Sequence, residues 1–251
     1  MKFSVCLPCF FRNTPFPEAV RRARACGFDA VELWHFGHPD LKEAKAALDD
    51  NGVTLVGMCT GVFTLTDPAA RPRYLESLKE SAEKAAYLGA SRLITQVGAD
   101  TGADRAAQHE SIVEGLRAAH DILAPYRVTL SIEPLNVLFD HPGYYLTSSE
   151  EAFAIVREAA SPYVKVLYDI YHQQISEGNI IPTVKAHVAD IAHFHAAGHP
   201  GRHELQQGEL DFRNVFAAID GAGYAGYTGL EYHPTLPPEE SLAAFRNAYL
   251  C

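Results

Sequence analysis

The sequence predicts an α/β protein, a single-domain (β/α)8 (TIM) barrel over residues 1–251. Three observations predict it. Short apolar, β-prone runs alternate along the whole chain with longer amphipathic ones, the pattern of strands joined by crossover helices. Eight such pairs fill the 251 residues, close to the ~250 residues typical of such a barrel. No Gly-rich phosphate turn follows the first run, where a doubly wound sheet, the alternative, usually carries one.

In chain order, FSVCL (3–7) precedes the helical PEAVRRARACG, and AVELW (30–34) precedes LKEAKAALDDNG. TLVGM (54–58) leads to a long helix through YLESLKESAEKAAYLG, and RLITQV (92–97) to AAQHESIVEGLRAAHDILAPY. VTLSIEP (128–134) leads to SSEEAFAIVREAA, and VKVLYD (164–169) to a helix near 179–188. IAHFHAA (191–197) leads to FRNVFAAIDGAG, and YTGLEY (227–232) to PEESLAAFRNAYL. Gly27, Gly52, Gly89 and Gly223 follow amphipathic runs, where a left-handed cap is needed. Ser148 or Ser149 suits an N-cap, with Glu150 and Glu151 in the first turn. No linker, low-complexity run or second domain is visible.

Composition narrows the function classes. An apolar fraction of 47% supports a full core, burying about 70–75% of the unfolded surface. The formal charge of −10 repels nucleic acid and anionic membranes at long range. The longest basic cluster, RRAR at 21–24, falls in a helical pattern and reads as a solvated face. No segment reaches the ~18 apolar residues of a membrane span, and the N-terminus lacks the features of a signal peptide. Five cysteines, an odd number, argue against a disulfide framework. Cys6 and Cys9 form a CxxC with no helix pattern directly following, and read as buried thiols. The expected compartment is the cytoplasm, with no nucleic-acid or membrane partner; assembly into a homo-oligomer is allowed for.

In a (β/α)8 barrel the active site lies at the C-terminal ends of the strands. There the fifth to eighth runs end in Glu133, Asp169, His195 and Glu231. Each is about one βα unit from the next, so the four side chains can converge. A lone strand-end carboxylate is often a cap or a salt-bridge partner; four ligand-type residues on consecutive strands are much harder to explain that way. Two Glu, one Asp and one His suit one divalent ion such as Mn, Mg or Co better than structural zinc. A cation would also relieve the repulsion among three close carboxylates.

At these residues the chain resembles the hydroxypyruvate isomerase family, among the xylose-isomerase-like TIM barrels. The resemblance is carried by IEPLN (132–136), by DHPGYYLTSSEEAFAIVREAASPYVKVLYDIYHQQISEGN (140–179) and by HFHAAGHPGRHELQQGELDF (193–212). GFDAVELW and HPDLKEAKAALDDNGV extend it over nearly the whole chain. It implies a metal on Glu133, Asp169, the strand-seven residue and Glu231, with Glu133 and Glu231 also the acid–base pair. His172 in YDIYH and Arg202 in PGRHE correspond to substrate-contacting positions. The implied substrate is a small hydroxy-oxo acid or sugar, isomerised through an enediol. At position 195 the hydroxypyruvate isomerases carry Gln, whereas the ketose 3-epimerases carry His in a similar HFH context. A ketose 3-epimerase is therefore the alternative within the same chemistry. Endonuclease-IV-like repair and a non-catalytic sugar-binding barrel are the alternatives of other classes.

Arg202 suits bidentate binding of a carboxylate; the plainer reading is a surface pair with Glu204 or Glu209. His172 is expected either to touch a substrate oxygen or to support Asp169. Phe10 follows strand one, and Trp34, His35 and Phe36 follow strand two; each can wall the pocket or simply pack, and the sequence does not choose. His38, His109, His120, His141 and His187 read as structural or exposed. In the loop HFHAAGHPGRHE, His193 is expected one layer deeper than His195, with Glu204 and His203 holding the loop. His233 is expected to point away from Glu231.

Overall fold

The structure, a computed structural model, describes residues 1–35, 40–61 and 64–250. Eight parallel strands pair in sequence order and close into a barrel. They are β1 (Lys2–Cys6), β2 (Ala30–Leu33), β3 (Thr54–Cys59) and β4 (Arg92–Thr95), followed by β5 (Thr129–Ile132), β6 (Val164–Asp169), β7 (Ile191–Ala196) and β8 (Tyr227–Leu230). Each strand is four to six residues of mostly buried side chains, because both faces of a barrel strand are covered.

The outer helices are α1 (Leu7–Phe10), α2 (Phe16–Ala25), α3 (Leu41–Asn51), α4 (Arg71–Leu88) and α5 (Arg105–Leu123), then α6 (Ser149–Ala159), α7 (Ile170–Ser176), α8 (Ile180–His187), α9 (Phe212–Gly221) and α10 (Pro238–Tyr249). Their starts follow capping chemistry. Asp40 accepts from the N–H groups of Lys42 and Glu43, Ser148 from that of Glu151, and Asp211 from those of Arg213 and Asn214. Gly52 and Gly89 close α3 and α4 in left-handed conformation, where a Cβ is disfavoured.

Two elements differ from the sequence reading. The four-residue helix α1 follows β1 directly and carries Cys9, where no helix was expected; four residues are too few to show a helical period. The β6–β7 connection holds α7 as well as the expected helix, α8. α7 starts one residue after β6 because the Asp169 carboxylate caps it through the Tyr171 and His172 N–H groups. Among the described residues no helix is long and apolar enough to cross a membrane, and Cys6, Cys9, Cys26 and Cys59 are free thiols.

Strand register aligns the residues that matter. Asp169 pairs with His195, His195 with Gly229, and Gly229 with Ser4; Cys6 then pairs with Glu32. The barrel interior is therefore polar at its catalytic end, with Ser4, Glu32, His193 and His195 all buried.

Candidate active site

The pocket at the C-terminal mouth of the barrel has a volume of about 340 Å³. Glu133, His195 and Glu231 line its floor, with Trp34, His172 and Arg202 among its walls. Ligand-type atoms of Glu133, Asp169, His195 and Glu231 lie within 4.8 Å of one another, and all four residues are buried.

Each side chain is held by its backbone setting. Glu133 follows β5 directly and precedes Pro134, which keeps its backbone extended. Tyr144 donates from its hydroxyl to the Glu133 carbonyl at 3.0 Å and accepts from the Val97 N–H at 2.8 Å, tying two strand ends together. Asp169 divides its carboxylate: Oδ1 caps α7 at 2.8 Å from the Tyr171 nitrogen, while Oδ2 is buried without a hydrogen-bond partner. His195 Nε2 lies 2.9 Å from Glu32 Oε2. Its Nδ1 faces the carboxylates, 3.2 Å from Glu231 Oε2 and 3.7 Å from Glu133 Oε1. Glu231 Oε1 accepts from Trp34 Nε1 at 2.6 Å, and Oε2 accepts from Arg202 Nη2.

The electrostatics separate the two glutamates. Burial, with the charges of Glu231 and Asp169 adding to it and His195 opposing, pushes the Glu133 carboxyl up to about 7. Burial would raise Glu231 too, but His195, Arg202 and the Trp34 N–H hold it well below the usual carboxylate range. Burial likewise disfavours a charged His195; Glu231, Glu133 and Glu32 outweigh that and hold it well above the ordinary imidazole range. Asp169 is raised, chiefly by burial. Two neighbouring carboxylates with such different proton affinities are the kind of environment that acid–base chemistry uses.

The set is compatible with a divalent cation. It is rich in oxygen, it converges, and it contains the unpartnered Asp169 Oδ2 and His195 Nδ1, both buried. Glu32, His193 and His195 form a second cluster of ligand-type atoms. Glu32 Oε2 stands 3.0 and 2.9 Å from the two imidazole Nε2 atoms, separations that hydrogen bonds explain.

His172 is fully buried, and its tautomer follows from Asn136. Asn136 Oδ1 accepts from the Phe139 and Asp140 N–H groups, which orients the amide. Its Nδ2 therefore donates to His172 Nδ1 at 2.7 Å, and its backbone N–H donates to the same atom at 3.4 Å. With Nδ1 as acceptor, the proton sits on Nε2, 3.5 Å from Asp169 Oδ2. Burial and the nearby Arg202 charge hold His172 well below its ordinary range, so it stays a neutral donor.

Arg202 does not pair with Glu204 or Glu209. Its guanidinium reaches Glu231, lies 3.6 Å from Asp169 Oδ2, and sits over the Tyr171 ring at 5.2 Å. The loop that aims it is pinned from below, as expected of Glu204 and His203. Glu204 accepts from the Thr235 N–H and hydroxyl, the Leu236 N–H and the Ser241 hydroxyl, and His203 Nδ1 meets the His233 carbonyl at 2.8 Å.

A family model described as Xylose isomerase-like TIM barrel matches residues 20–248. The chain belongs to the xylose isomerase-like TIM barrel family. The 2-oxo-tetronate isomerase of Cupriavidus necator is 33% identical over 243 residues, with 93% of each chain covered. The hydroxypyruvate isomerase of Escherichia coli is 29% identical over 251 residues, covering 96% of this chain and 97% of that one. A crystal structure of AP endonuclease, family 2, from Brucella melitensis is similar at a TM-score of 0.94 and 28% identity, with 99% of both chains covered.

Within this xylose isomerase-like TIM barrel, five of the six expected site residues line one pocket, and the sixth, Asp169, clusters with Glu133, His195 and Glu231 beside it. Other expectations are corrected. His141, read as structural or exposed, lines the pocket with its ring 5.2 Å from that of His172. His233 is exposed and outside the pocket lining, with its ring edge-on to Trp34; β8 ends at Leu230, so strand alternation does not set its direction. Phe36 and His38 lie outside the described residues. Phe10 packs on Tyr232 in the core, away from the pocket lining. His109, His120 and His187 keep structural partners in Glu158, Ser161 and Phe153. Sequence reasoning missed Glu32, Gln96 and Asn136. Glu32 had a signal, a carboxylate inside the apolar run AVELW, where a buried charge needs partners.

Proposed function

We propose that this chain is a metal-dependent isomerase acting on a small hydroxy-oxo acid, with hydroxypyruvate and 2-oxotetronate as the first candidates. One observation carries the reading: Glu133, Asp169, His195 and Glu231 converge within 4.8 Å beside a guanidinium, that of Arg202. The names of the isomerase relatives support the same class.

In this reading Glu133, Asp169, His195 and Glu231 would hold one Mn, Mg or Co ion, which supplies Lewis-acid stabilisation of the enolate oxygen when bound. Arg202 binds the substrate carboxylate, and the His172 Nε2–H donates to a substrate oxygen. Glu133 removes the proton from C3 of hydroxypyruvate, and the electron pair forms the C2–C3 double bond of an enediol. Glu133 then returns a proton to C2. Glu231, ionised, carries the hydroxyl proton from O3 to O2, giving 2-hydroxy-3-oxopropanoate with no net gain or loss of atoms. A shuttle that both takes and returns a proton works best with an affinity near the working pH; with no cation bound, burial and the neighbouring carboxylates raise Glu133 towards that range.

His195 favours a second reading, the ketose 3-epimerase, in which the two carboxylates work on opposite faces of one carbon. A DNA-repair role fits less well, because a net charge of −10 and a pocket of about 340 Å³ suit a small molecule. The test is a panel of hydroxypyruvate, 2-oxotetronate and free ketoses with the Mn-loaded protein. Turnover of an acid is expected, with a loss of about 10²–10⁴-fold in Glu133→Gln and Glu231→Gln. Turnover of ketoses alone would overturn the substrate class, and full activity in either variant would remove the acid–base pair.

A further inference from the structure

Glu32 belongs to none of the roles above, yet both oxygens of its carboxylate are partnered in the barrel interior. It is 1% exposed, on β2, far in sequence from every group it touches. Its Oε1 accepts from the Ser4 hydroxyl of β1. Its Oε2 lies 3.0 Å from His193 Nε2 and 2.9 Å from His195 Nε2, both on β7. An ionised carboxylate only accepts, so both imidazoles present Nε2–H to it. Strand β8 makes room for this contact with Gly229: a Cβ there would stand 2.7 Å from His195 Cδ2 and closer still to Glu32 Oε1. Four strands thus supply a donor, an acceptor, two imidazoles and a gap.

We propose that Glu32 is the positioning residue for His195, holding its Nε2–H so that Nδ1 is the atom turned to a divalent cation. This rests on the reading that Glu133, Asp169, His195 and Glu231 bind that cation. The carboxylate does two things at once. It keeps the ring from rotating, since the other ring nitrogen is the only one left to face Glu231, 3.2 Å away. It also raises the basicity of the free nitrogen, as carboxylates behind ligating histidines do. His193, one layer deeper, holds the same oxygen and keeps Glu32 from turning away.

The experiment is Mn²⁺ titration of the full chain by calorimetry, together with ¹⁵N-histidine NMR of the imidazole N–H groups. Glu32→Gln retains the shape and the acceptor but loses the charge; Gly229→Ala retains every charge but pushes Glu32 and His195 apart. Both are expected to bind Mn²⁺ about 10–100-fold more weakly. The His195 Nε2–H signal is expected to be visible in the unaltered protein, to shift in Glu32→Gln and to broaden or vanish in Gly229→Ala. Mn²⁺ affinity within twofold of the unaltered protein in both variants would overturn the proposal. So would weakening in Glu32→Gln alone, because that is the signature of charge without positioning. If Gly229→Ala does not fold, an unshifted His195 signal in Glu32→Gln has the same force. Asp169→Asn separates the two ideas: unchanged Mn²⁺ binding there refutes the ligand set, whereas the N–H signals still judge Glu32.

Discussion

Replacing Trp34 by Phe removes one N–H and leaves most of the ring. That N–H donates to Glu231 Oε1 at 2.6 Å, the short separation of a charge-assisted bond. A hydrogen bond to a charged group contributes about 1.5–3 kcal/mol, and ~1.36 kcal/mol is tenfold in rate. If Glu231 acts in the transition state, kcat/KM should therefore fall about 10- to 150-fold. Glu231 still has Arg202 and His195 beside it, so it remains ionised at neutral pH. Losing one of the groups that hold it low should nevertheless move the acidic limb of the pH profile upward. Trp34 is only half-buried, so thermal stability should change little. The assay is steady-state kinetics on hydroxypyruvate and 2-oxotetronate with saturating Mn²⁺. An unchanged kcat/KM with an unchanged acidic limb would refute the reasoning, because Glu231 would then have no need of its donor.

Asn136→Ala removes the side chain that holds His172 in its Nε2–H form; KM should rise about tenfold with a smaller change in kcat, and an unaltered KM would remove His172 from the substrate site. Glu204 is held below the ordinary carboxylate range: burial opposes this, but the bonds from Leu236, Thr235 and Ser241 win. A carboxyl depressed on folding stabilises above its unfolded pKa of ~4.3, and that stability is lost as pH falls through the folded value. Glu204→Gln should therefore cost about 1–3 kcal/mol at pH 7 and progressively less towards pH 3, read from urea unfolding at both pH values.

The site was legible where its residues sit at strand ends. Glu133, Asp169, His195 and Glu231 each close an apolar run, and the barrel pattern alone carries such positions to a common mouth. His172 and Arg202 were less determined. Each had a plain structural reading, and the choice rested on a resemblance; their placement needed the short helix α7 and the loop pinned by Glu204. His141 was misread because its loop position says nothing of which way the loop folds back. Phe10 stayed open between two readings, because following a strand end does not settle whether a ring faces the pocket or the core.

What the sequence determined by itself was the order and period of its elements and the chemical types at their ends, because these depend on neighbours within one turn or one strand. Eight alternations of period sufficed for the barrel, and four ligand-type termini for the site. What only the tertiary structure decided was which atoms meet. Glu32 touches residues 28 to 163 positions away, Trp34 reaches Glu231 across the barrel closure, and Gly229 matters only because Glu32 and His195 crowd the space above it. Hydrogen bonds and excluded volume act over a few ångströms in space, and sequence separation carries no information about them until the strands close the ring.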